Sequence, residues 1–465
     1  MAQYKTPDVY VVEKSIMPPS VAEVPTAIPA FIGYTEKTKD SKGDTITQMP
    51  KRITSMVEYE TLFGGRYAEG FVVKQVANSD ELTLPTTDNP TLSNFFLYQA
   101  ISHFFTNGGG TCYIVSIGGY DTALKEKTHF TAGIKTLNKI DEVTIIACPE
   151  SIHLGDQGHY DVQNTSLSHS ENRKDRFSLV DVKTTGDIPA DASNMRNIVA
   201  QGLKYGAAYY PYLRTSITRT YDEKQVMVTL NGPTQPQAGE GGEPTAPMSM
   251  HALASTNTAI YNQLRTLLNT NYLVLPPSAA IAGVIAKTDG ERGVWKAPAN
   301  VALAMVVEPT VAIDNSEQED LNVDVTAGKS INAIRNFVGK GTLVWGARTL
   351  AGNDNEWRYV PVRRLFNMVE ESIQKSTAFA VFEPNTPFTW LKIKTMIESY
   401  LENLWQQGAF FGTSPEQAFF VNVGLGQTMT EDDINNGYMK IDIGLAAVRP
   451  AEFIVLTFTH KSLEG

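Results

Sequence analysis

The chain has 465 residues, 42% of them hydrophobic and 19% charged, which is enough apolar material for several structural units. Its 39 basic residues against 50 acidic ones leave a net charge of −11 without any long Lys/Arg run, so nucleic acid is not an expected partner. No stretch approaches the roughly 18 consecutive apolar residues of a membrane span, and the opening MAQYKTPDVY lacks the apolar segment of a signal peptide; synthesis in the cytoplasm is expected, with lysis as a route out and no direct membrane insertion.

Residues 1–25 carry Pro7, Pro18, Pro19 and Pro25 around one strand-like run, DVYVVEK at 8–14, which has nothing nearby in sequence to pair with. They read as an arm. AIPAFIGYT at 27–35 is a second apolar strand. SNFFLYQAISHFF has helical apolar spacing, NGGG breaks it, and TCYIVSIGG follows as a buried strand. VTIIACPE at 143–150 and RFSLVDV at 176–182 are further near-continuous apolar strands, the kind that suits a sheet covered on both faces. Cys112 and Cys148 fall inside such runs and are expected as buried free thiols. Residues 151–175 are polar, hold His153, His159 and His169, and read as a solvated loop. MRNIVAQGLKYGAAYY at 195–210 reads as a helix and PYLRTSI leaves it. The Pro/Gly-dense 231–247 cannot build a core and reads as an exposed loop, after which TAIYNQLRTLLN at 258–269 is helical.

The last third is the most regular. LVWGARTL and EWRYVPV, joined by AGNDN, read as a strand hairpin. PVRRLFNMVEESIQKS has an apolar stripe at Val362, Leu365, Phe366, Val369 and Ile373. A second helix begins at Thr386–Pro387, a good cap and first-turn pair, and ends where Gly408 suits a C-terminal cap. QAFFVNVGLG, YMKIDIGLAAV and AEFIVLTFTH supply three closing strands.

Catalytic patterns are missing. GKS at 328–330 lacks the first glycine of a phosphate loop, and GLGQTM at 424–429 lacks the third glycine of a dinucleotide fingerprint. GTSPE at 412–416 lacks the second glycine of a nucleophile elbow, with Glu416 in its place. The three histidines of 151–175 match no common metal spacing. DNSEQED at 314–320 lacks the glycine of a calcium loop and reads as a solvated turn, whereas TEDD at 430–433 reads as an N-cap with acids in a first turn. No cofactor, metal or catalytic residue is assigned. Arg363 and Arg364 fall in a helix first turn, where each cation opposes the helix dipole by ~0.3–1 kcal/mol; they either pair with nearby acids or reach an acidic partner surface, and Lys392 and Lys394 pose the same choice.

LPPSAAIAGVIAKTDGERGVWKAPAN at 275–300 resembles the signature segment of the phage tail sheath protein family. LVWGARTL, WRYVPVRRL, FEPNTPFTW, AFFVNVG and GLAAVRPAEFIV match in order after it, and TPDVYVVE, VPTAIPAFIGYT and DRFSLVDV before it. Asp8 departs from the glycine usual in the arm.

The resemblance implies a structural subunit and not an enzyme. It implies a multi-domain α/β sheath fold with an α+β inner domain, a mixed sheet flanked by helices, and terminal strand arms exchanged between subunits. On that pattern the chain forms a helical homopolymer of stacked rings around an inner tube protein, with baseplate and terminator or cap proteins at its ends, and contracts to drive the tube through a target envelope. An extracellular-type contractile injection system is favoured over a contractile phage tail or a tailocin; an α/β hydrolase-like enzyme and a static tube or shell protein are the rival classes. The expected division is an arm at 1–25, a middle α/β domain at 26–344 with surface insertions near 36–92, 151–175 and 231–250, and an inner C-terminal domain at 345–465. The expected exchange residues are Val9, Tyr10, Val11 and Val12 in the N-terminal strand and Phe453, Ile454, Val455, Leu456 and Phe458 in the C-terminal one. Two independent facts favour exchange: an isolated strand is not stable in water, and AEFIVLTFTH, apolar on both faces, would be an aggregation hazard at an open edge.

Overall fold

The computed structural model describes residues 20–77, 79–122, 125–231 and 246–456. Two compact units emerge: one contains residues 1–24 and 368–448, the other 25–367 and 449–465. The chain passes from one to the other inside the helix Val360–Ser376.

The larger unit is organised by a nine-stranded sheet. Its spatial order is Val301–Ala302, Gly341–Val344, Ile331–Phe337, Gly206–Tyr210, Phe177–Asp181, Ile145–Ala147, Pro29–Gly33, Cys112–Ser116 and Lys51–Ile53. The run from Ile331–Phe337 to Cys112–Ser116 is parallel throughout and the outer strands are antiparallel. Alternate side chains serve opposite faces, as strand geometry requires. Phe31, Ile145, Leu179, Ala207 and Tyr209 join one core with the helices Leu97–Thr106 and Ser278–Arg292. Ala30, Ile32 and Ile146 face a second core, and Val180, Ala208 and Tyr210 a third. This double covering is why the strands are apolar without alternation. The free thiols Cys112 and Cys148 are buried within it.

Two buried carboxylates sit at the carboxyl ends of parallel strands. Glu150 accepts from the backbone N–H groups of Tyr34 (2.6 Å), Phe96 (2.7 Å) and Leu97 (3.1 Å), and Asp181 accepts from that of Ser278 (2.8 Å). Each satisfies donors at a helix start with the chain's own acid, at the place where open α/β sheets of other proteins hold ligands.

Several expectations are corrected. Residues 151–175 are not a solvated loop: a short 3-10 turn, Pro149–His153, leads into an 18-residue helix, Asp156–Arg173. Its buried face is His159, Tyr160, Val162, Gln163, Ser166, Leu167 and Ser170. The spacing is helical, but four of these seven residues, His159, Gln163, Ser166 and Ser170, are polar, which hid the stripe. Ser166 and Ser170 both bond to Ser178 Oγ on the strand below, at 2.7 and 2.9 Å. The expected helix 195–210 splits instead into the end of the helix Ile188–Ile198 and the strand Gly206–Tyr210. Two glycines account for this. A Cβ on Gly202 (φ +52°) would lie 2.5 Å from the Leu167 carbonyl oxygen, and one on Gly206 would lie 2.9 Å from that of Ser178. The acidic 314–320 is a capped helix, Asn315–Asn322, in which Asp314 and Glu317 form a capping box. The hairpin expected from LVWGARTL and EWRYVPV shrinks to one bridge, Arg348 with Tyr359, because Gly341–Val344 pairs with Ile331–Phe337.

Within 36–92, Lys51–Ile53 belongs to the main sheet, while Val72–Gln75 and Leu82–Thr83 join Met227–Thr229 and Met248–Ser249 in a separate four-stranded sheet. The helices Met250–Thr256 and Thr258–Asn269 cover it around Phe71, Val228, Leu264 and Leu268.

The smaller unit holds the helix Pro387–Gln406, which buries Trp390, Ile393, Met396, Ile397, Tyr400, Leu401 and Leu404 on one side. It also holds the antiparallel strand pair Phe419–Asn422 and Asp442–Leu445. Thr430 and Asp433 form a capping box on the short helix Glu431–Asn435.

Candidate assembly interface

Among the described residues no three His, Cys, Asp or Glu side chains converge to hold a metal ion, and no helix is long and apolar enough to cross a membrane. The histidines of the former loop serve the core. His159 is fully buried, its Nε2 2.8 Å from the Asp181 carbonyl oxygen and its Nδ1 2.9 Å from Ser151 Oγ, and burial pushes its pKa down to about 4. His169 lies 2.9 Å from Arg176. A neutral, doubly bonded imidazole is a packing element, not a ligand in waiting.

The remaining features with no role inside the fold are edges and apolar surface. The pair Phe419–Asn422 and Asp442–Leu445 is a two-stranded sheet, and among the described residues neither strand has a second partner. Such a pair is marginal in water and leaves a row of unused N–H and C=O groups on each side. The helix Pro387–Gln406 has Phe388 and Leu391 on its outer face, both largely exposed, and Phe382 just before it is wholly exposed.

The described residues nearest the two ends of the chain are held at defined points. At the N-terminal end the backbone N–H groups of Ala22 and Val24 donate to the hydroxyls of Ser376 (3.2 Å) and Ser372 (3.1 Å). Val9, Tyr10, Val11 and Val12 lie outside the described residues. At the C-terminal end Glu452 is held by Arg348, Tyr359 and Asn322. Beyond it Phe453, Ile454, Val455 and Leu456 join none of the described strands and are between 72% and 86% exposed. The third closing strand expected at 451–460 is thus unpaired as far as it is described, and Phe458 lies outside the described residues.

The charges picked out from sequence separate into two kinds. Arg363 and Arg364 are 2% and 4% exposed, so the described packing does not offer them to a partner. Arg364 forms a bidentate ion pair with Asp289, Nη1 donating to Oδ1 at 2.9 Å and Nη2 to Oδ2 at 2.5 Å, and donates to the Thr26 carbonyl oxygen at 2.8 Å. The Arg363 guanidinium lies 4.1 Å from the centre of the Trp357 ring and 4.9 Å from that of Tyr205, while Nε donates to Asn367 Oδ1 at 2.8 Å. Cation–π stacking and an acid from a distant helix offset the unfavourable dipole. By contrast Lys392 is exposed, 4.6 Å from the Phe379 ring, and Lys394 pairs loosely with Glu398 at 3.7 Å. Sequence reading missed Arg348 and Glu452, whose 104-residue separation gives no local signal. It also missed Phe388 and Leu391, although FEPNTPFTW contains two aromatics that a one-sided helix cannot both bury.

Residues 139–350 match the phage tail sheath protein central domain, and residues 352–461 the phage tail sheath protein C-terminal domain. The tail sheath protein of Vibrio phage KVP40 is 28% identical over 41% of this chain, and that of Enterobacteria phage T4 is 29% identical over 28%. These matches span 27% and 19% of the two curated relatives' own lengths. Among solved structures, the sheath of an extracellular contractile injection system, the PVC sheath complex in its contracted state, is 30% identical over 99% of both chains with a TM-score of 0.65. The anti-feeding prophage helical sheath in its contracted state is 32% identical over 98% of this chain and 100% of that one, with a TM-score of 0.63.

Proposed function

This chain belongs to the phage tail sheath protein family, and from that premise we propose that it is the sheath subunit of an extracellular-type contractile injection system. Nearly full-length likeness to two contractile injection sheaths supports that particle type over a phage tail, for which the matches are partial. The subunit polymerises helically around an inner tube, on a baseplate and beneath a terminal cap, and works by changing its packing and not by chemistry. Contraction exchanges one set of subunit contacts for a larger one in an open helical array.

The observation that carries this reading is the unsatisfied strand material. Four consecutive large apolar side chains, Phe453 to Leu456, stand in solvent, while the strand pair Phe419–Asn422 and Asp442–Leu445 has no further strand partner among the described residues. Strand addition from a neighbouring subunit answers both, with main-chain hydrogen bonds for strength and side-chain pockets for register. Burying each such side chain contributes about 1.5–3 kcal/mol before ordering costs. Val9 to Val12 play the same part at the other terminus. Lys392 and Lys394, on the helix that also displays Phe388 and Leu391, are the charges proposed to face the inner tube.

Replacing Phe453, Ile454, Val455 and Leu456 together by Ser tests the exchange. The fold should be kept, since these residues contribute little to it, while sedimentation shows subunits in place of polymer. Polymer forming at the wild-type concentration would remove the exchange reading.

A further inference from the structure

We propose that Glu452 is the anchor of the C-terminal arm: the clamp of Arg348, Tyr359 and Asn322 on its carboxylate fixes the point from which the exchanged segment leaves the subunit, and passes tension on that segment into the central sheet. The inference rests on the exchange reading above.

Glu452 is the last residue before the exposed run, and its side chain is the opposite of its neighbours in every respect. Oε1 accepts from Arg348 Nε at 2.9 Å and from Asn322 Nδ2 at 2.9 Å; Oε2 accepts from Arg348 Nη2 at 2.6 Å and from Tyr359 Oη at 3.2 Å. Arg348 is itself buried and also donates from Nη1 to the Asn322 carbonyl oxygen at 3.3 Å. Burial alone pushes the Glu452 carboxyl up, but the Arg348 and Asn322 hydrogen bonds leave it below the usual range, so it is charged at neutral pH. A bidentate, charge-assisted pair with two further donors holds direction as well as position.

The clamp does not end at Arg348. Its backbone N–H donates to Asn332 Oδ1 at 2.8 Å, and Asn332 Nδ2 donates to the carbonyl oxygens of Arg348 (2.7 Å) and Ala208 (3.1 Å). Asn332 lies in the strand Ile331–Phe337 and Ala208 in its parallel neighbour Gly206–Tyr210. Gly346 leaves the space that Asn332 occupies, since a Cβ there would sit 2.7 Å from Asn332 Oδ1. A continuous polar path therefore runs from the root of the arm to the interior of the nine-stranded sheet, and every link in it is made. Without the clamp, the last hydrogen bond before the arm among the described residues is Val448 N–H to the Ala409 carbonyl oxygen at 3.2 Å, and Arg449, Pro450, Ala451 and Glu452 become part of the tether. A longer, undirected tether lowers the effective concentration of the arm at its acceptor.

Polymerisation is read on the unlabelled full chain, and anisotropy on the dilute chain with Ser462→Cys carrying a fluorophore, outside the exchange residues; the native Cys112 and Cys148 are buried and stay unlabelled. Glu452→Gln weakens the clamp, and the pair Arg348→Met with Glu452→Met removes both charges together, so no charge is stranded in the interior. Both should raise the critical concentration for polymerisation roughly tenfold and lower the anisotropy of the dilute labelled subunit. The thermal midpoint of the Met pair should stay near that of the wild type. A clamp that only stabilised the fold would move the midpoint and leave the anisotropy of the surviving folded subunit unchanged. Wild-type polymerisation and anisotropy in both variants overturn the anchor. The four-serine arm variant separates the two ideas: if it polymerises normally the exchange reading falls and the anchor with it, and if it alone fails to polymerise only the anchor falls.

Discussion

Deleting residues 1–20 is expected to yield a folded subunit that no longer forms sheaths. The cut falls ahead of Ala22 and Val24, whose backbone bonds to Ser376 and Ser372 tie the arm's base to the chain, so the fold keeps its contacts. What is lost is DVYVVEK, a run with strand-like sequence whose seven residues would span about 23 Å if extended, at roughly 3.3 Å per residue, enough for the proposed pairing along a neighbour's edge. Each subunit would then lack one of its two proposed exchange segments, and since every contact in a helical lattice repeats, the loss repeats with it. The measurement is sedimentation alongside circular dichroism: a native spectrum with polymer absent. A truncated chain that still assembles into full-length tubes would show that the N-terminal arm is dispensable.

Arg364→Ala is expected to destabilise the subunit by about 3–5 kcal/mol, because it strands the buried Asp289 carboxylate. The two side chains are 3% and 6% exposed, and Asp289 Oδ2 also accepts from Thr26 Oγ1 at 2.6 Å. The pair therefore ties three segments that are far apart in sequence: the start of the larger unit, the end of the Ser278–Arg292 helix, and the start of Val360–Ser376. Asp289→Ala should cost a similar amount, and an apolar replacement of both residues should recover most of it. Urea denaturation of the arm-deleted, monomeric chain reads this without interference from assembly. A loss below about 1 kcal/mol would mean that water reaches the pair and screens it.

The parts of the fold that the sequence made legible are those in which one local signal dominates. The doubly covered strands around Phe31, Ile145 and Leu179 are apolar on both faces, and the helix Thr258–Asn269 was read to the residue. Where buried faces are polar, reading failed: Asp156–Arg173 hides a helical stripe because Ser166, Ser170 and His159 bond to the sheet below, and Gln163 to Ser151 in the preceding 3-10 turn, in place of apolar packing. Gly202 and Gly206 fall inside the helix expected at 195–210, yet each permits a close approach to Leu167 or Ser178 that no one-dimensional pattern records. The same limit applies to the candidate interface. The apolar run after Glu452 was visible, but its root was not, since Asn322, Arg348, Tyr359 and Glu452 meet only in three dimensions. Arg363 and Arg364 drew attention for a sound reason, their position against the helix dipole, and the answer lay in Trp357, Tyr205 and Asp289.

Negative-stain electron microscopy of the purified full chain tests the central claim most directly. A contractile sheath subunit should appear as wide tubes with cogwheel-like cross-sections, the contracted helix reached without tube or baseplate. Dispersed single particles at high concentration, or narrow smooth tubes, would contradict it.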